Sequence, residues 1–272
     1  MRIAEAIFVV LQTICGFIMT SLIAIAGKGG VGKTTVAALL VMRLIQRGCR
    51  PVLAVDADPN TCLDAALGVK IVKTVGAIRE DAREFAQGGM VRGMDKQRFL
   101  ELRIAESLVE GDDFDLLAMG RCEGPGCYCY ANNVLKAVLN KMVNQYPCVV
   151  LDNEAGLENL SRRIVNKVSL LVMVTDPTVR GFETVKRLHK LSGEMEIAYD
   201  RLAIVVNRLR RRELPAGAEE IRTAIKADII VGLPEDEDIS DISEQNGNLR
   251  QLPADHPIFS GIDRIVTMQK SK

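Results

Sequence analysis

Short apolar runs recur along the chain with longer polar and apolar mixtures between them. The runs fall at residues 22–26, 51–55, 115–119, 148–151, 170–174, 202–206 and 229–231. They are continuous rather than alternating, which is the pattern of strands buried on both faces. Segments 34–47, 131–145, 181–191 and 216–226 carry helical spacing with few breakers. Alternation of this kind predicts an α/β fold, a mostly parallel sheet of seven to eight strands flanked by helices. Residues 69–114 depart from the pattern, being charged and helical with breaks at Gly88-Gly89 and Gly93, and are expected to form a peripheral insertion.

The first eighteen residues stand apart. Residues 6–19 are mostly apolar but are interrupted by Gln12 and Thr13, and Glu5 sits where a signal peptide would carry positive charge. The run is also shorter than the roughly 20 residues that a bilayer requires. Strand-like residues follow at once, so 1–18 is expected to be an N-terminal extension to the domain, a start of translation at Met19 being one reading and a retained extension the other. Residues 19–272 then form a single domain.

At 272 residues, 48% hydrophobic and 26% charged, the chain has apolar material for one large domain. Lys plus Arg equals Asp plus Glu at 35 each, so no excess positive field would hold nucleic acid or an anionic membrane. Only 4% of residues are aromatic and none is Trp, which leaves few stacking platforms for single strands. Seven cysteines, an odd number without a disulfide-like framework, point to packed thiols at Cys49, Cys62 and Cys148 and to a reducing cytoplasm.

The chemistry begins after the first run. Gly27-Lys28-Gly29-Gly30-Val31-Gly32-Lys33-Thr34 satisfies Gly-x-x-x-x-Gly-Lys-Thr between a predicted strand and a predicted helix, and Thr35 follows. Small residues let consecutive backbone N–H groups turn toward phosphates, the helix N-terminus adds its positive end, and Lys33 neutralises β and γ oxygens. Thr34 is the expected Mg²⁺ ligand. Asp56 and Asp58 follow the second strand, and Asp58-Pro59 also suits a helix N-cap with Pro at the first helical position. Asp152 ends the strand at 148–151, a place for a water-mediated Mg²⁺ contact or for an ordinary turn residue.

The whole string Lys-Gly-Gly-Val-Gly-Lys-Thr-Thr resembles the deviant Walker-A ATPases, a group that includes the MinD and ParA positioning ATPases, nitrogenase iron protein and metal-cofactor maturation ATPases. The resemblance implies slow, dimerisation-dependent ATP hydrolysis in which Lys28 reaches the partner subunit's nucleotide. It further implies that Asp58, in Asp56-Ala57-Asp58-Pro59-Asn60, orients the attacking water, with Asp56 on the Mg²⁺ shell. Asp152-Asn153-Glu154-Ala155-Gly156 resembles the second switch. Asn207-Arg208-Leu209-Arg210 stands where related GTPases carry Asn-Lys-x-Asp. Arg210 offers no lone pair to guanine, whereas the Asn207 amide suits an adenine edge, so ATP is expected over GTP. Pro234 and Glu235 follow as adenine contacts by resemblance, a plain polar turn being the alternative.

Cys127-Tyr128-Cys129 precedes a predicted helix. One such pair cannot complete a tetrahedral site, but two copies meeting at a dimer axis supply four thiolates for Zn²⁺ or Ni²⁺. Unligated thiols and a redox pair are the alternatives. With this element the chain resembles the CooC-type accessory ATPases of carbon monoxide dehydrogenase and acetyl-CoA synthase. That resemblance implies a homodimeric ATPase with Cys127 and Cys129 as shared ligands, assisting nickel insertion into the apo-enzyme, with Cys122 close enough to assist. A positioning ATPase on membrane or DNA is the competing reading. It would use an amphipathic segment at 258–270, whose Ile258, Ile262, Ile265 and Val266 suit a core stripe better. A nitrogenase-like reductase needs a cluster cysteine after the second switch, and residues 153–180 contain none.

Overall fold

The computed structural model describes residues 20–77, 105–121, 135–137, 139–157, 160, 165, 167–211 and 213–270. Eight strands, β1 (Ser21–Gly27), β2 (Val52–Asp56), β3 (Leu108–Val109), β4 (Phe114–Ala118), β5 (Cys148–Asp152), β6 (Lys167–Thr175), β7 (Ala198–Leu209) and β8 (Ile229–Pro234), form one sheet. Their order is β3-β4-β2-β5-β1-β6-β7-β8, and every pair is parallel except the edge pair β3–β4. The seven expected runs are seven of these strands. β3 is the addition: two residues at the edge, within the stretch expected as an insertion, too short to produce a periodic signal.

Six α-helices lie wholly within the described residues: α1 (Lys33–Gln46), α2 (Leu63–Leu67), α3 (Val179–Glu194), α4 (Gly217–Ala224), α5 (Glu237–Glu244) and α6 (Phe259–Lys270). The helix expected at 131–145 is seen from residue 135, ending in a 3₁₀ turn at Val143–Gln145. Neighbouring strand residues divide between two cores. Leu22, Ala24 and Ala26 of β1 face one side with Phe182 and Val185 of α3 and Ile221 of α4. Ile23 and Ile25 face the other with Leu39, Leu40 and Leu44 of α1 and Ile262 and Ile265 of α6. This is why the runs read as continuously apolar: both faces of the sheet are covered.

α6 is a core helix. Ile262, Ile265 and Val266 are buried where it packs on α1 and β8. Polar contacts fix the same seam. Arg43 of α1 donates from Nε to Asp263 Oδ1 at 2.7 Å and from Nη1 to the Ala254 carbonyl at 3.0 Å, and its guanidinium lies 5.2 Å from the Phe259 ring centroid. Arg47 donates to the same carboxylate at 3.0 Å. Among the described residues no helix is long and apolar enough to cross a membrane.

Two of the expected packed thiols are not free. Cys49 and Cys148 form a disulfide, with Cα atoms 6.5 Å apart. The turn after α1 brings Cys49 beside the first residue of β5, a meeting of chain positions 99 residues apart that linear spacing does not reveal. Cys62 is free and exposed.

Candidate nucleotide-binding site

In a parallel sheet, ligands bind beyond the carboxyl ends of the strands, at the point where connections diverge to either side. β1 lies between β5 and β6 with its α1 connection leading to β2 on the far side of β5, and the Gly27–Thr34 loop occupies that point. α1 starts after Gly32, which has φ +90° and no side-chain cap, and its first turn carries no acidic residue. Its leading N–H groups therefore have no side-chain competitor for an anion. A Cβ at residue 32 would lie 2.4 Å from Asn207 Nδ2, so glycine is required there on two counts. Asn207, buried at the end of β7, donates that Nδ2 to the Val31 carbonyl at 2.9 Å. Its amide nitrogen thus braces the phosphate loop, leaving Oδ1 as the atom that could accept from adenine.

The carboxylates gather on neighbouring strands. Asp56 and Asp152 are register partners on β2 and β5. Asp56 is fully buried and accepts from the backbone N–H groups of Asp58 at 3.0 Å, Cys62 at 2.8 Å and Leu63 at 2.9 Å. Burial pushes its carboxyl up to about 6, against those three bonds. Asp56 thereby shapes the first switch and caps α2. The N-cap expected at Asp58 is not formed: α2 starts later, after Cys62, and Asp58 instead accepts from the backbone N–H and side-chain Nδ2 of Asn60 at 2.8 and 3.0 Å, a side-chain-closed turn.

Asp152 is 1% exposed, and burial pushes it up to about 7 against the opposing hydrogen bond from Thr34. Its Oδ1 has no hydrogen-bond partner among the described residues. Lys33 is buried close by, its ammonium lowered by burial and raised by Asp152, Asp58 and Glu154, and its Nζ reaches the Lys28 carbonyl at 3.2 Å. A shielded carboxylate oxygen without a donor, beside a threonine hydroxyl at the head of a phosphate loop, fits Mg²⁺. Thr34 and Asp152 are the residues that would hold it. The second switch is tied to the loop: Asn153 Nδ2 donates to the Ile25 carbonyl at 2.8 Å and Gly156 N–H to the Gly27 carbonyl at 3.1 Å.

Two cavities open beyond the carboxyl ends of the strands, and the smaller one borders the loop. One of about 860 Å³ opens beyond β7, lined among others by Thr178, Arg208, Arg210 and Glu235. Two of the expected adenine contacts, Arg208 and Glu235, thus border one space, whereas Asn207 and Pro234 do not line it. A smaller cavity of about 160 Å³ is bordered by Lys28, Asp176 and Arg180. Lys28 itself is exposed. Cys122, Cys127 and Cys129 lie outside the described residues. Reading the sequence missed Asn60 and Arg121, whose Nη2 donates to Asn60 Oδ1 at 2.5 Å. Asn60 had a local signal, two residues after Asp58, but Arg121 comes from 61 residues away.

Comparison with known proteins agrees with this geometry. Residues 22–249 match the family described as the CobQ/CobB/MinD/ParA nucleotide binding domain. The chain is 37% identical over 245 residues to an uncharacterised ATP-binding protein of Methanocaldococcus jannaschii, covering 90% of this chain and 96% of that one. It is 31% identical over 191 residues to the carbon monoxide dehydrogenase accessory protein CooC of Rhodospirillum rubrum, covering 64% of this chain and 74% of that one. Among solved structures, the cell division ATPase MinD of Pyrococcus furiosus superposes with a TM-score of 0.66 at 20% identity, covering 92% of this chain and all of that one. With its phosphate loop at the carboxyl end of β1 and this sheet order, the chain is a P-loop ATPase and belongs to the CobQ/CobB/MinD/ParA nucleotide-binding domain family.

Proposed function

We propose that this ATPase is a metal-handling maturation factor: a homodimer that closes on ATP and Mg²⁺, holds Ni²⁺ or Zn²⁺ as cargo between the Cys127 and Cys129 pairs of two subunits, and assists nickel insertion into a carbon monoxide dehydrogenase or acetyl-CoA synthase apo-enzyme. One observation carries the coupling of cargo to nucleotide. The chain leaves β4 at the nucleotide end of the sheet, where Met119 N–H donates to the Asp56 carbonyl at 2.8 Å, and three residues later enters the segment that bears the cysteines. Similarity to CooC supports the choice of client.

In this reading the backbone N–H groups of Gly29 to Thr35 hold the phosphates and Lys33 neutralises their outer oxygens. Bound Mg²⁺ would supply charge neutralisation between the β- and γ-phosphates. Asp58 orients the water through its Oδ2, and Lys28 meets the partner's nucleotide. Arg208 and Glu235 line the base space, and Asn207 Oδ1 and Pro234 are the further adenine contacts. A positioning role at a membrane would draw on α6, whose apolar residues are already packed on α1 and β8.

The test is metal content. Wild-type protein loaded with Ni²⁺ or Zn²⁺ is expected to retain about one ion per dimer, as a four-thiolate site shared by two chains requires, and Cys127→Ser/Cys129→Ser to retain none. Equal stoichiometry in the two proteins overturns the cargo site.

A further inference from the structure

The end of β4 does more than approach the first switch. Met119 N–H binds the Asp56 carbonyl, and Gly76 N–H in turn donates to the Met119 carbonyl at 2.7 Å. Gly120 then turns the chain at φ +67°, where a Cβ would lie 2.4 Å from Thr74 Cβ and Oγ1. Only glycine fits that turn, and the turn carries Arg121 back over the first switch.

A directional chain of hydrogen bonds begins there. Arg121 Nη2 donates to Asn60 Oδ1 at 2.5 Å, and Asn60 donates from its backbone N–H and from Nδ2 to Asp58 Oδ1 at 2.8 and 3.0 Å. A guanidinium can only donate and a carboxylate can only accept, so the amide between them has one workable orientation. Turned over, its NH₂ would face the guanidinium and its oxygen the carboxylate. Arg121 therefore sets the Asn60 amide, and the amide in turn claims one oxygen of Asp58. Asp58 Oδ2, without a hydrogen-bond partner among the described residues, remains for water.

We propose that Arg121 is a positioning residue that holds Asp58 for the attacking water through the Asn60 amide. This inference rests on the reading of Asp58 as the water-orienting carboxylate; it does not depend on the metal cargo.

The experiment is a double-mutant cycle on full-length protein, with kcat and KM for ATP measured for each variant. Arg121→Ala is expected to lower kcat about three- to tenfold, the scale of one solvent-exposed hydrogen bond, with KM for ATP unchanged within about twofold. Arg121→Lys, which keeps a cationic donor, should recover part of the loss. In an Asn60→Ala background Arg121→Ala should have no further effect. Losses that multiply in the double variant overturn the relay. If wild type and Cys127→Ser/Cys129→Ser hold equal metal, the cargo reading falls by itself, and the cycle still decides whether Arg121 positions Asp58.

Discussion

Asn207 and Val31 are joined by a buried hydrogen bond, the asparagine Nδ2 donating to the valine carbonyl at 2.9 Å, so that the end of β7 is tied to the phosphate loop. Replacing Asn207 by Ala leaves that carbonyl without its donor. A loss of about 1–3 kcal/mol in urea unfolding is expected, together with weaker nucleotide binding because the loop loses its brace. Gly32→Ala should impair binding further, since its methyl would press on the same amide at a backbone angle unfavourable to any side chain. Unchanged affinity in both variants would remove Asn207 from the site.

Asp152→Asn should separate stability from activity. The carboxylate is buried beside Asp56, and burial pushes it up to about 7. An amide of the same shape removes that unfavourable charge, so the melting temperature without nucleotide should rise. Hydrolysis should fall by roughly 100-fold, as expected when a preorganised charge at a phosphoryl-transfer site is lost. A variant that melts lower than wild type contradicts the account of the buried carboxylate.

Asp263 gives a pH test far from the site. Its hydrogen bond with Arg43 holds the carboxyl below the usual carboxylate range, so the folded state favours the charged form. Such a group stabilises above its unfolded pKa and loses that contribution as pH falls through the folded value. Asp263→Asn is expected to cost about 1–2 kcal/mol at pH 7, and the gap from wild type should close toward pH 3. A gap independent of pH would mean that the seam depends on shape rather than charge.

Lys28→Ala tests the dimer. An exposed lysine within one subunit has no reason to control turnover there. If it acts across the interface, kcat should drop by about tenfold or more while the ATP affinity of the monomer changes little. Normal turnover and normal ATP-dependent association, measured by sedimentation, would exclude the cross-subunit role.

Much of this arrangement was legible in the chain because it is local. The phosphate loop, its flanking strand and helix, and Asp152 at a strand end each declare themselves within a few residues. The strands announced themselves because both faces are covered. What escaped notice depends on chain crossings. Arg121 reaches Asn60 across 61 positions, Asn207 reaches Val31 across 176, and Cys49 meets Cys148 across 99. Asp56 was read as a metal-shell residue, but its oxygens meet three backbone N–H groups of a turn that forms only when α2 does. No periodicity encodes such meetings, since they follow from strand order and not from spacing.

The Cys49–Cys148 bond makes part of the polypeptide a closed ring. Inside the ring lie the first switch, Arg121 and the cysteine pair; the phosphate loop and the second switch lie just outside it. A protease cut anywhere between residues 78 and 104 would therefore open the ring without releasing a fragment. On a gel run without reductant the nicked protein should keep its full mass, and with reductant it should separate into two pieces.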